Sequence, residues 1–128
     1  MVGIVVIAHS RTLAEGVAEL ARTMGVGKVV VEPAGGDADG GLGTSLELVE
    51  NAVAAADDGD GVVLLADLGS SVLTAKTVIE DAPGGGILLA DAPLVEGAVA
   101  AASAAAAGAD LAAVHAAAES AYEHRKTE

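Results

Sequence analysis

The chain contains no cysteine, no phenylalanine and no tryptophan, and its single tyrosine is Tyr122. Lack of cysteine excludes disulfides, thiol nucleophiles and thiolate metal sites. Lack of aromatic rings disfavours functions that stack a flavin, a nucleobase or a sugar. Positive charge is also scarce. Six Lys and Arg stand against 19 Asp and Glu, a formal net charge of −13 with no basic cluster along a face, so nucleic acid is not an expected partner. The N-terminus has no basic leader. The Ala-rich stretch from Val99 to Ala109 is broken by Ser103 and Gly108 and falls short of a membrane span. A soluble cytoplasmic protein without a membrane partner is expected. The acidity fits either a docking face for a basic partner or a solubility device in a salty cytoplasm.

What the chain does have is apolar: 52% of its 128 residues are hydrophobic, which rules out disorder and suits one domain with a core of Val, Leu, Ile and Ala. Two short apolar runs stand out. Gly3-Ile4-Val5-Val6-Ile7-Ala8 ends in His9 and leads into Ser10-Arg11-Thr12, while Gly61-Val62-Val63-Leu64-Leu65-Ala66 ends in Asp67 and leads into Leu68-Gly69-Ser70-Ser71. Runs of this length, bounded by turn residues, read as strands buried in a parallel sheet.

The remaining pattern predicts helices and strands in alternation. Residues 12–24 read as a helix with Leu13, Val17, Leu20 and Met24 at helical spacing, a Thr12/Glu15 capping box and Gly25 as its stop. Lys28 to Glu32 reads as a second strand, and residues 33–43 as a glycine-rich loop. Thr44 and Glu47 read as a second capping box, opening a helix to about Ala56 whose buried side carries Leu46, Val49 and Val53. A third strand over 62–66, a helix over 71–81, a break at Pro83-Gly84-Gly85-Gly86 and a fourth strand over 87–90 follow. Asp91 and Pro93 open a helix to about Ala107 with Gly108 as its stop, and Asp110 caps a last helix to about His124. The expected class is α/β: a single-domain open parallel sheet of about four strands with helices on both faces. If the first strand is central and lies beside the third, as in a flavodoxin-like order, His9 and Asp67 face each other at the switch point.

An imidazole at a strand tip, ringed by helix N-termini with free N–H groups, is suited to carrying a phosphoryl group. A carboxylate on its other ring nitrogen would fix the tautomer and stabilise positive charge. The plain alternative is that His9 only ends a strand and Asp67 only caps a turn. His115, among alanines, and His124, in the charged tail, read as packing or surface residues. Other motifs fail. The glycines from Gly35 to Gly41 lack the lysine of a P-loop, no dinucleotide fingerprint follows the first strand, no elbow motif surrounds Ser10, and one His with scattered acids does not make a metal site.

Taken together, Ala8-His9-Ser10, Leu13-Ala14-Glu15-Gly16, Gly43-Thr44-Ser45, Asp67-Leu68-Gly69-Ser70 and Ala92-Pro93-Leu94-Val95-Glu96-Gly97 resemble the DhaM family in order and spacing across nearly the whole chain. DhaM is the phosphotransfer subunit of the phosphoenolpyruvate-dependent dihydroxyacetone kinase, related to mannose-type enzyme IIA domains. The resemblance implies one phosphotransfer domain over residues 1–128, usually dimeric and with no cofactor or metal. It implies that His9 accepts phosphate from the carrier protein HPr and passes it to ADP on DhaL, which phosphorylates dihydroxyacetone held on DhaK. It makes Asp67 the carboxylate that orients His9, and it places Ser10, Gly43, Thr44, Gly69 and Ser70 around the phosphate. A mannose-type enzyme IIA that feeds a sugar-transport IIB protein is the nearest rival. A flavodoxin-like binding module without phosphotransfer is the rival of another class.

Overall fold

A short run of six apolar, mostly β-branched residues suits a strand covered on both faces, and Gly3–Ala8, buried throughout, forms such a strand, β1. In the computed structural model, which describes residues 1–82 and 84–127, it is followed by α1 (Arg11–Met24), β2 (Val31–Gly35), α2 (Leu46–Ala56), β3 (Val62–Ala66), α3 (Gly69–Glu80), β4 (Ile87–Leu89), α4 (Leu94–Ala106) and α5 (Leu111–Glu119). A short 3₁₀ turn, Ser120–Glu123, ends the last helix earlier than the expected His124. The strands are parallel in the order β2-β1-β3-β4, so the expected α/β class and the central first strand are both observed.

Alternation along the strands divides the core. Ile4, Val6, Ala8, Val63 and Leu65 pack against α1, α4 and α5, while Val5, Ile7, Val62 and Leu64 pack against α2 and α3. The first layer is built from small residues: Ala14, Ala18 and Ala21 of α1 meet Ala98, Ala101, Ala102 and Ala105 of α4 and Ala118 of α5, all fully buried.

Several expectations are corrected. The second strand runs over Val31–Gly35 instead of 28–32, because β1 needs a partner along its length and pairs Ile4 with Val31 through to Ala8 with Gly35. Pro33 is tolerated there because β2 is an edge strand. The caps of α1 and α2 are Ser10 and Ser45, in extended conformation, instead of Thr12 and Thr44; their hydroxyls accept the N–H of Leu13 and of Leu48, both at 3.2 Å. The buried face of α1 is Ala14, Val17, Ala18 and Ala21, and Leu13, Leu20 and Met24 stay 43%, 45% and 48% exposed. Small residues let the helix seat closely on the sheet, and the larger ones fall on its flank. Leu46 is likewise exposed, leaving Val49 and Val53 with Ala52 and Ala56 on the buried side of α2. The expected α3 starts two residues early, at Gly69. Of the expected break, Pro83 lies outside the described residues.

Candidate functional site

The register of β1 on β3 sets Ile7 opposite Ala66, and the Asp67 N–H donates to the Ile7 carbonyl at 3.1 Å. The two chains therefore leave the sheet side by side at its C-terminal edge, carrying His9 and Asp67. On the other flank of β1 the end of β2 passes directly beneath the start of α1: a Cβ on Gly35 would lie 2.5 Å from the Ser10 carbonyl oxygen and 2.7 Å from the Ala14 Cβ. Glycine is required there by that approach.

Asp67 binds His9 at two points. Its Oδ2 accepts the His9 backbone N–H at 3.0 Å, and its Oδ1 lies 3.0 Å from the ring Nδ1. A carboxylate can only accept, so the ring proton is assigned to Nδ1. The remaining nitrogen, Nε2, then carries a lone pair and contacts the Ser70 hydroxyl, which donates to it. The His9 side chain is 27% exposed and that of Asp67 only 10%, so the base is open and its support is covered. Burial pushes the Asp67 carboxyl upward, but donation from the His9 N–H, the Ser71 hydroxyl, the His9 ring and the Leu68 N–H holds it below the ordinary carboxylate range. An ionised Asp67 favours positive charge on the ring as Nε2 is modified.

Of the other residues expected around the site, Ser70 and Gly69 form the first turn of α3, whose N-terminus has no side-chain cap, and the Ser70 hydroxyl is the group of that turn that meets Nε2. Gly43, at φ +141°, donates its N–H to the His9 carbonyl at 2.9 Å, supporting the histidine's backbone instead of leaving that donor for an anion. Ser10 spends its hydroxyl on the α1 cap, and Thr44 shares a hydrogen bond with Thr74 at 3.2 Å, tying the start of α2 to α3. His115 lies away from the site with Nε2 2.9 Å from the Leu89 carbonyl, a packing contact, and His124 is exposed. Ser71 is not among the site residues expected from the sequence. Its hydroxyl lies 3.2 Å from His9 Nδ1, and its spacing with Ala75 and Val78 on the buried side of α3 is the signal that points to it.

Known proteins share this arrangement of chain. Residues 3–115 match the family described as "PTS system fructose IIA component", EIIA-man. DhaM of Escherichia coli strain K12, phosphoryl donor subunit of a PEP-dependent dihydroxyacetone kinase, is 39% identical over 117 residues, covering 87% of this chain and 25% of that protein. The DhaM subunit of dihydroxyacetone kinase 2 from Listeria innocua serovar 6a is 33% identical over 111 residues, covering 80% of this chain and 84% of that protein. This chain belongs to the mannose-type enzyme IIA family, as a domain of the DhaM type. It spans about a quarter of the length of the Escherichia coli relative. A crystal structure of a protein of unknown function, 30% identical, superposes on this DhaM-type domain with a TM-score of 0.86, covering 99% of this chain and 98% of the other. Among the described residues of the domain, no helix is long and apolar enough to cross a membrane.

Proposed function

We propose that this domain is a histidine phosphocarrier of a PEP-dependent dihydroxyacetone kinase. The observation that carries the reading is the ring of His9, held at Nδ1 by Asp67 with Nε2 at an open edge beside the first turn of α3. Nε2 attacks the phosphorus of phosphorylated HPr; the donor's P–N bond breaks as the new one forms, and the carrier's imidazole leaves. During transfer Asp67 keeps the proton on Nδ1 and balances charge on the ring, while the Ser70 hydroxyl turns to the phosphoryl oxygens. The N–H groups of Gly69 and Ser70 face those oxygens, with Ser10 and Thr44 at the rim and Gly43 steadying the histidine. In the second half-reaction Nε2 is the leaving group and ADP on DhaL the acceptor; DhaL then phosphorylates dihydroxyacetone on DhaK. The domain acts in the cytoplasm as a homodimer and needs no metal or cofactor of its own.

Incubation with phosphoenolpyruvate, enzyme I and HPr tests this reading. Labelling of the native chain but not of His9→Ala, followed by chase of the label into ATP on addition of DhaL and ADP, is the expected result. Label that DhaL leaves in place, and that a sugar-transport IIB protein removes, would move the chain to the transport branch. No label with cognate partners and suitable salt would overturn the phosphocarrier reading altogether.

A further inference from the structure

Ser71 carries the one buried polar side chain among the described residues, with no exposure to solvent. A serine within a helix commonly returns its hydroxyl proton to a carbonyl one turn back. Thr74 and Thr77 on the same helix do so, donating to the Ser70 and Leu73 carbonyls at 3.0 Å. Ser71 instead has its Oγ 3.2 Å from His9 Nδ1, the nitrogen that Asp67 Oδ1 holds at 3.0 Å.

The donor count leaves little freedom. Nδ1 has one proton, and Asp67 Oδ1 is its acceptor at 3.0 Å, so the Ser71 oxygen receives only a share of that proton. The hydroxyl's own proton needs another acceptor, and of the groups that meet at Nδ1 the Asp67 carboxylate is the one that can only accept. If Ser71 donated to Nδ1 instead, the ring proton would sit on Nε2, and Asp67 would face a lone pair. Two acceptors pointed at each other in a covered site is the arrangement the cluster excludes.

We infer that Ser71 is a positioning residue for phosphotransfer: with Asp67 it closes a triangle of polar groups around Nδ1 that keeps the proton there and leaves Nε2 unprotonated. It never touches the phosphoryl group and acts through Asp67 and the ring. The inference rests on the phosphocarrier reading for its consequence, but its central claim concerns the resting protein.

Nitrogen-15 NMR of the His9 ring reads that claim directly, in the native chain, Ser71→Ala and Ser71→Thr. The native ring is expected to hold its proton on Nδ1, and Ser71→Ala to raise the Nε2-protonated share several-fold. Labelling from phospho-HPr should slow by about 3- to 10-fold in Ser71→Ala, the loss of one ordinary hydrogen bond. The acid limb of its rate profile should move to higher pH as Asp67 loses a donor. Ser71→Thr, which returns the hydroxyl, should restore the tautomer and the profile. Ser71→Cys fills the same space with a weak donor and is read in the same way if the alanine chain does not fold. A native tautomer ratio and an unchanged pH profile in folded Ser71→Ala would overturn the inference. Failure of the native chain to take label would overturn only the phosphocarrier reading, since the NMR result stands without it.

Discussion

Asp67 takes the backbone N–H of His9 on one carboxylate oxygen and the ring Nδ1 on the other, each at 3.0 Å. One side chain therefore sets both the place of the histidine and its tautomer. In Asp67→Asn the backbone bond survives through the amide oxygen, but the amide nitrogen faces Nδ1 and donates, which drives the ring proton to Nε2. The rate of labelling from phospho-HPr is expected to fall roughly 10²- to 10³-fold, with the fold retained. Initial rates of labelling beside a thermal melt check this; near-native labelling would show that the carboxylate is not needed.

The same carboxylate links acidity to stability. Its pKa in the folded chain is held below the ordinary value, burial opposing and the His9, Ser71 and Leu68 donors prevailing. Such a group stabilises the fold fully above its unfolded pKa of about 3.9 and loses that contribution as pH falls through its lower folded value. The stability difference between the native chain and Asp67→Asn should be flat above about pH 5 and shrink below about pH 4. Urea unfolding of both chains across that window measures it. A difference that grows on acidification would reverse the sign argued here.

Two glycines provide a matched test of the packing beneath the site. Gly35→Ala places a methyl 2.5 Å from the Ser10 carbonyl oxygen, so α1 and the His9–Ser10 corner must shift. A loss of about 1–3 kcal/mol is expected, together with slower labelling. Gly16 is in the middle of α1, and a Cβ there meets nothing within 4 Å, so Gly16→Ala should stabilise by about 0.5–1 kcal/mol. Equal effects of the two substitutions in denaturant would contradict the close approach of β2 to α1.

The buried face of α1 can be tested in the same manner. Leu20 is 45% exposed, and Leu20→Gln should change stability by no more than about 0.5 kcal/mol. Val17 is buried, and Val17→Ala should cost about 1–3 kcal/mol. The opposite order in unfolding experiments would return the helix to the face marked by its leucines.

That helix shows where sequence reading succeeds and where it stops. His9 and Asp67 were legible because each ends an unbroken apolar run, and a run so short and rich in β-branched residues favours a strand whose tip opens on the crevice. The parallel order followed from the alternation of strands and helices. The buried side of α1 was misread because residue size was taken as a guide to burial, whereas the alanines make the contact. Both serine caps were misplaced by one or two residues, since Ser10, Thr12, Thr44 and Ser45 are all competent caps and only the backbone angles choose among them. β2 was placed early because Val29, Val30 and Val31 are β-branched, while pairing with β1 draws the strand on through Pro33 to Gly35. Ser71 is only half legible: its spacing with Ala75 and Val78 puts it on the buried side of α3, but nothing in that spacing tells that its hydroxyl meets a histidine.

The alanine layer between α1, α4 and α5 reverses the usual rule of core mutation. In most interiors the damaging change is truncation, which leaves a hole. Here the side chains are already a single methyl, so truncation has almost nothing to remove. Enlargement becomes the hazard, because Ala18, Ala101 and Ala105 are fully buried in one packed cluster and a larger side chain there overpacks it. Change on that side of the sheet is confined to residues of similar size.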